Sequence, residues 1–375
     1  MRIPAVSPVV KTAIPPSTFP EIDVMKKSLL AVAVLGTFAC AASAQSSVTI
    51  YGIVDAWVGQ VDNKVGATPA GKLAVAESGG AQASRWGLRG TEDLGGGLRA
   101  NFVLEQGISI DSGTITNVSA SNVGFNRTAY VGLAGAFGEV RLGRMLTAYD
   151  ALRGSTNHLY DSSGFASTLQ VWSAGASAAR GIPAVVGSDY LARGNNTILY
   201  ATPLIGPFSG SVSVSAGEGA TTDSASPRLV TGHVKYAAGP IRFGYSYQGE
   251  KYSTGYNKFH LVAGNYDAGM VRFVGAFQRQ IDERVAGRQK SQEWEAGMDV
   301  PLGLATVAVG YAKAVTRNAA DVEVVNARGL SLMGTYNLSK RTRLYTALRQ
   351  ITVDRADGSR SMEVSRWGVG VSHNF

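Results

Sequence analysis

The chain has 375 residues, 45% of them hydrophobic and 17% charged, with a formal net charge of +8. Its one cysteine, Cys40, excludes an intramolecular disulfide and any metal centre built from several thiolates. After residue 44 no apolar run is long enough to cross a bilayer as a helix, so helical membrane spans are excluded.

In chain order, residues 1–24 are proline-rich and fit no part of an export signal, and they read as an upstream start. Met25, Lys26 and Lys27 then open a basic segment, Ser28–Phe38 is a short apolar stretch, and Ala42, Ser43 and Ala44 supply the small residues of a cleavage site. These are the three parts of a secretory signal peptide over residues 25–44. Its removal takes Cys40 with it and lowers the net charge by two, to about +6 for the expected mature chain 45–375. The mature chain is then exported without a thiol, so its stability must come from size and a closed hydrogen-bond network.

The mature part reads as short strands of period two. In Val48–Val58 the even positions are apolar or small, whereas the odd ones include Thr49, Tyr51 and Asp55. In Ile241–Gln248 the residues Ile241, Phe243, Tyr245 and Tyr247 alternate with Arg242, Ser246 and Gln248, and Leu330–Leu338 divides as cleanly. At the C-terminus Trp367, Val369, Val371 and Phe375 share one face and Gly368, Gly370, Ser372 and Asn374 the other. A chain that stops on such a strand needs a partner for its edge, and an open sheet edge cannot exist in hydrocarbon. Trp86, Tyr130, Phe243, Tyr245, Tyr247 and Trp367 are candidates for lipid-facing aromatic bands.

Seven tight-turn clusters punctuate the strands: 93–97, 134–138, 203–209, 238–240, 267–269, 300–303 and 338–341. Barrels of the outer membrane have short inner turns and longer outer loops. Seven turns join fourteen strands, and the first and last strands add two, so the expected fold is all-β: a transmembrane antiparallel barrel of sixteen strands. The interval between the second and third turns is nearly twice the others. Its surplus, from Met145 to about Ala192, is the third outer loop, rich in Gly, Ala and Ser with Tyr160, Phe165 and Trp172. Long loops in compact architectures are usually functional, and this one is expected to fold into the barrel and set the pore width.

Alternation also orients the charges. Arg85 and Arg89 oppose Trp86 and Leu88; Arg99 and Glu105 oppose Leu98, Phe102 and Leu104; Arg127 opposes Thr128 and Tyr130. An arginine facing lipid at mid-depth costs about 2–4 kcal/mol, so these arginines are expected to face the lumen.

Three stretches carry a resemblance: Ser47–Asp55; Ser84–Ala100 continuing to Phe102–Gly107; and Arg127–Leu133 with Phe137–Arg144. In this order, behind a signal peptide, they resemble the general Gram-negative porin family in the form typical of beta-proteobacteria. The likeness extends from Ser47 to Phe375 and is weakest in the outer loops. It implies a homotrimer of sixteen-stranded barrels in the outer membrane, among its lipid and lipopolysaccharide, with the third loop narrowing each pore. The terminal strand ending in Phe375 resembles the signal read by the barrel-assembly machinery. In the family, wall arginines face an acidic third loop at the constriction, and the matching positions here are Arg85, Arg127 and Arg193. This chain departs from the acid-rich pattern: its loop offers only Asp150, Asp161 and Asp189, with Asp161 the better candidate for the constriction and Asp150 at the loop's start. More fixed positive than negative charge predicts a preference for anions among the small ions and solutes that pass.

Other chemistries find little support. His158, His233, His260 and His373 are scattered without metal-ligand spacing, and no nucleophile-elbow, zinc-protease or phosphate-loop motif occurs. Glu293, Glu295 and Asp299 share a strand face and read as a solvated lumen wall. No cofactor is implied, and the absence of a basic helix or a basic cluster interleaved with aromatics argues against nucleic acid as a partner. The expectation is therefore a passive diffusion channel rather than an enzyme. The alternatives are a substrate-specific anion porin for phosphate or carboxylates, an outer-membrane barrel enzyme, and a plugged structural barrel.

Overall fold

A computed structural model describes residues 47–65, 68–116, 124–156, 169–179, 189–217, 227–284, 288–358 and 360–375. The expected signal segment and Asp161 lie outside the described residues. The strands are β1 (Ser47–Val65), β2 (Thr68–Ser78), β3 (Arg85–Gly95), β4 (Leu98–Ser109), β5 (Thr114–Ile115), β6 (Thr128–Gly135), β7 (Gly138–Leu146), β8 (Arg193–Ala201) and β9 (Phe208–Ser215). They continue with β10 (Arg228–Ala238), β11 (Ile241–Lys251), β12 (Tyr256–Asp267), β13 (Arg272–Asp282), β14 (Gln289–Leu302), β15 (Ala305–Arg317), β16 (Glu323–Asn337), β17 (Thr342–Arg355) and β18 (Arg360–Asn374). Two helices, α1 (Ala148–Thr156) and α2 (Leu169–Ala179), interrupt the series between β7 and β8.

β2 and β3 both pair with β1, β2 along its Ala56–Val65 part and β3 along Ser47–Ile53, so they are two halves of one wall strand. β5 only extends the end of β4. Counted this way, the wall is the expected closed antiparallel barrel of sixteen strands, with each strand bonded to the next and β18 returned to β1. At the seam Gly52 and Phe375 exchange both backbone hydrogen bonds at 3.1 Å, and the Phe375 ring lies over Gly52, where a side chain would collide with it. All seven expected turns fall between wall strands on one rim; between β3 and β4 the turn is made by Gly96 and Gly97, both at positive φ.

Exposure follows the alternation. Val369 (52%), Val262 (53%) and Val212 (59%) stand on the outer face, while the residues beside them on the same strands, such as Gly368, Leu261, Ala263, Ser211 and Ser213, are buried. Trp367, Phe243 and Tyr245 are outward as expected. Tyr130 is the exception: Val131 and Leu133 are the exposed residues of β6, and Tyr130 pairs across to Val103 with its ring under the Arg141 guanidinium at 4.9 Å, on the inner face. The expectation failed because Arg127 precedes β6 and does not share its alternation. The strands β14 to β18 run 13–15 residues, longer than the roughly ten needed to cross the bilayer, because their loop-side ends, with Gln289, Lys290, Arg317 and Glu323, are polar enough to stand outside it.

The break between β2 and β3 was not legible in the sequence. There residues 79–84 turn inward onto buried Asp55 of β1. Its carboxylate accepts from the amides of Gly80 (2.7 Å), Ala81 (3.3 Å) and Gln82 (3.1 Å) and from the Tyr345 hydroxyl (2.7 Å). A buried carboxylate survives only with such partners. Gly80 is required here, since a Cβ would collide with the Tyr345 hydroxyl and lie 2.7 Å from the Trp57 ring.

The long third loop carries α1 and α2, and both pack on the inner face of the wall: α1 against β10–β12 and α2 against β15–β17. Small residues make room for α2. Gly175 rests on Ala314 and Ala327, and a Cβ at Gly329 would stand 2.6 Å from Val171. Tyr149, Leu152, Trp172 and Tyr190 of the loop share one buried apolar cluster with Phe259, Leu261, Ala312 and Ile351 of the wall.

Two outcomes check this architecture. Val262→Arg, on the outer face, should destabilise the barrel by about 2–4 kcal/mol in denaturant titrations with lipid vesicles, whereas the lumen-facing Ser209→Arg should change it far less. Gly329→Val, which overpacks the seat of α2, should cost about 1–3 kcal/mol by the same measurement.

Candidate pore constriction

A space in the lumen lies between the wall of β1 and β3–β10 and one side of α1. Thr147 caps this helix, its hydroxyl accepting from the Asp150 amide at 3.2 Å, and Asp150 adds a negative charge to the first turn. Helical spacing then divides its side chains. Tyr149, Leu152 and Arg153 face the wall and are fully buried; Asp150, Ala151 and Gly154 line the open space.

The buried side of the loop is held by specific bonds. Arg153 donates Nη1 and Nη2 to the two carboxylate oxygens of Glu295 at 2.9 and 3.1 Å, and its guanidinium stacks on Trp172 at 4.6 Å. The Tyr149 hydroxyl donates to Gln278 at 2.5 Å, and Gln278 donates in turn to Asp189 at 2.8 Å and to Glu293. The Leu191 amide donates to Glu250 at 2.7 Å, and the Tyr190 hydroxyl donates to Asp150 at 2.7 Å. Glu293 and Glu295, read from the sequence as a solvated wall, are therefore buried anchors of the loop; Asp299 instead pairs with Arg272 at 2.6 Å. Burial first, then the carboxylates of Asp189 and Glu293, pushes the Tyr149 phenol well above its ordinary value of 10.0. Burial first and Asp150 next do the same for Tyr190.

Opposite the exposed side of α1 lies a basic wall around a space of about 810 Å³. Arg85 enters from the start of β3, just after the inward turn held by Asp55, and donates Nη1 to the Ala83 carbonyl at 3.0 Å. Arg127 enters from the end of the second outer loop, its amide bonded to the Glu105 carbonyl, so its inward reach comes from the loop and not from strand alternation. Glu105 of β4 accepts from Arg127 Nε at 2.7 Å and the Tyr51 hydroxyl at 3.1 Å, and forms an ion pair with Arg85, whose Nε is 3.6 Å away. Arg193, the first residue of β8, stands in the field of Arg127, Arg144, Asp150 and Glu105, and its buried Nε has no hydrogen-bond partner among the described residues.

The structure thus brings Arg85, Arg127, Arg193, Glu105 and Asp150 around one space. Arg89 is on the same face of β3 but stacks on Tyr51 at 5.0 Å, one step toward the turns. Arg99 lies further that way, cross-strand to Asp93, and does not join the cluster. Arg141, paired with Glu139 at 2.6 Å, and Lys235 and His233 of β10 also line the space, and of these the sequence reading passed over Lys235. The alternation Val234, Lys235, Tyr236 carried the signal for Lys235. Among the described residues lining the space, five cationic side chains (Arg85, Arg127, Arg141, Arg193 and Lys235) face two carboxylates, Glu105 and Asp150.

A barrel closed on itself, with a loop folded against its inner wall beside a row of arginines, defines a channel protein of an outer membrane. The profile of the Gram-negative porin family matches residues 31–356, and the chain belongs to that family. It is 36% identical to outer membrane porin protein 32 of Delftia acidovorans over 338 residues, covering 86% of this chain and 88% of that one. It is 30% identical to an outer membrane porin protein of Bordetella pertussis over 416 residues, covering 94% and 100%. Among solved structures, an anion-selective porin from Comamonas acidovorans superposes with a TM-score of 0.71 at 30% identity, over 88% of this chain and all of that one. The trimer form of OmpT from Vibrio cholerae, 13% identical with a TM-score of 0.63 over 88% and 99%, shares the fold. The protein is a porin, a diffusion channel of the Gram-negative outer membrane.

Breaking the buried pair tests the anchoring of the loop. Glu295→Gln removes the bidentate carboxylate of the buried Arg153 guanidinium and should cost about 3–5 kcal/mol of stability, with noisier single-channel currents as the loop loosens. The raised Tyr149 and Tyr190 phenols give a pH signature: the stability they contribute is fully present below about pH 10 and is lost as pH rises beyond it. Conductance and melting temperature should therefore be insensitive to these two groups from pH 6 to 9, and the melting temperature should fall above about pH 10.

Proposed function

We propose that this porin passes small hydrophilic solutes down their gradients with a preference for anions. The observation that carries the reading is the excess of fixed cations over carboxylates around the space beside α1. Arginine keeps its charge at any physiological pH, and rings of one sign in a narrow pore select by sign. Arg85, Arg127 and Arg193 form the selecting cluster. Glu105 holds Arg85 and Arg127 in place and offsets part of their charge, and Asp150 faces them from the loop. Asp161 is a further acidic candidate, and Arg89 and Arg99 extend the basic wall toward the turns. The resemblance to an anion-selective porin at 30% identity supports the same sign.

Further parts of the reading concern assembly. Residues 25–44 act as a signal peptide and are removed, leaving 45–375, with 1–24 an upstream start. The mature chain forms a homotrimer in the outer membrane, in contact with its lipid and lipopolysaccharide, after the assembly machinery reads the strand ending at Phe375. The protein is a channel without a catalytic role and needs no cofactor.

Reversal potentials in a salt gradient test the selectivity. Wild type should favour chloride over potassium. At about 6 Å in a water-like dielectric one charge changes an ion's energy by about 0.7 kcal/mol, in opposite directions for the two ions, so Arg127→Gln should lower the chloride-to-potassium permeability ratio about tenfold. Glu105→Gln should raise it. A cation preference in the wild-type channel would refute the reading.

A further inference from the structure

Two arginines of the inner wall belong neither to the constriction nor to the anchors of the loop. Arg349 of β17 and Arg366 of β18 are direct cross-strand partners. Both point inward: Arg349 alternates with exposed Leu348 and Gln350, and Arg366 precedes exposed Trp367. Side chains so placed start about 5 Å apart, where like charges repel. Arg349 is nevertheless only 3% exposed. Its Nε and Nη1, and the Nε of Arg366, are buried without a hydrogen-bond partner, and among the described residues neither arginine has a carboxylate within ion-pair distance. Glu77 of β2 attracts Arg349 only from further away.

The described residues around the pair offer no other relief. Arg349 faces Ser331 across β16, Arg366 faces Val61 of β1, and Ile351, two residues along β17, is part of the apolar cluster that seats α2. A guanidinium cannot neutralise itself by losing its proton. A buried cation is tolerated when an anion accepts its hydrogen bonds, and the planar fork fits an oxyanion best. The pair is also remote from the cluster at Arg85. Arg366 pairs with Val61, whereas Arg85 pairs with Ile53, eight residues or roughly 26 Å back along β1, away from the loop rim.

We propose that Arg349 and Arg366 form a second anion site on the loop side of the constriction, which takes one small oxyanion of the phosphate or carboxylate class between two cross-strand guanidinium groups. Its occupant supplies the counter-charge that the wall lacks, next to the residues on which α2 rests. The site does not depend on the selectivity assigned to Arg85, Arg127 and Arg193.

The test uses the assembled full-length porin in detergent, melted at constant ionic strength while chloride is replaced by inorganic phosphate, then by acetate. Wild type should show a saturable rise in melting temperature with at least one of the two. Arg366→Gln, at the more accessible of the two positions, should weaken the half-saturating concentration roughly tenfold or more, as expected for lost charged hydrogen bonds. Arg349→Lys, which keeps the charge and loses the fork, should weaken it as well. Arg127→Gln should leave the rise unchanged while altering the reversal potential, which separates this site from the selecting cluster. Glu77→Gln should tighten binding by removing a competing charge. No saturable rise with either anion, or a rise unaltered by Arg366→Gln, overturns the proposal. So does a Glu77→Gln variant destabilised equally in every salt, since Glu77 would then be the counter-ion.

Discussion

Every peptide group on the lipid side of this protein must find its hydrogen bond within the protein, because hydrocarbon offers none. The rest of the structure follows from that demand. A sheet that satisfies it has no edge, so β18 returns to β1, and the side chains must then alternate between lipid and lumen. The lumen is left as the one place where the chain can keep charge at mid-membrane depth. Its wall is polar because the outer face has taken the apolar half of each strand. The interior helices exploit this: α1 and α2 bring apolar surface of their own and meet it with the few inward-facing apolar or small residues, Phe259, Leu261, Ala312 and Ala327.

What the sequence could show divides along the same line. Period-two alternation and punctuation by turns are local signals, and they led to the strand number, the inward set of β3 and β4, and the outward aromatics of β11 and β18. Arg127 and Tyr130 mark the limit of parity. Parity holds within a strand, and the boundary between loop and β6 falls between Arg127 and Thr128. Arg127 therefore reaches the lumen although its neighbour Thr128 also does, and Tyr130 faces Arg141 and not lipid. The inward turn at 79–84 and the burial of Glu293 and Glu295 depend on partners far away in the chain, Tyr345 and Arg153, which no local pattern announces.

The candidate site combines a rigid side with an adjustable one. Arg85 sits on a strand whose start is fixed by Asp55 beneath it, while Arg127 and Arg193 stand at ends of loops. Glu105 couples two of the three, which lowers their mutual repulsion and limits their rotamers. Asp150 enters from a helix whose other side is locked by a bidentate ion pair in the wall. One short helix therefore carries both a charge on the open space and a buried ion pair in the wall.

The seam at Asp55 and Tyr345 joins residues 290 positions apart, and Trp367 meets Gln60 across 307. Contacts of such range come late in folding, because the chain between them must be ordered first. They set a direction in time. The wall can grow hairpin by hairpin through neighbours close in sequence, and Asp55 takes the amides of residues 80–82 from close by, but the Tyr345 bond that completes the inward turn at 79–84 needs β17 in place. The clamp beneath Arg85 is thus complete only when the barrel is closed.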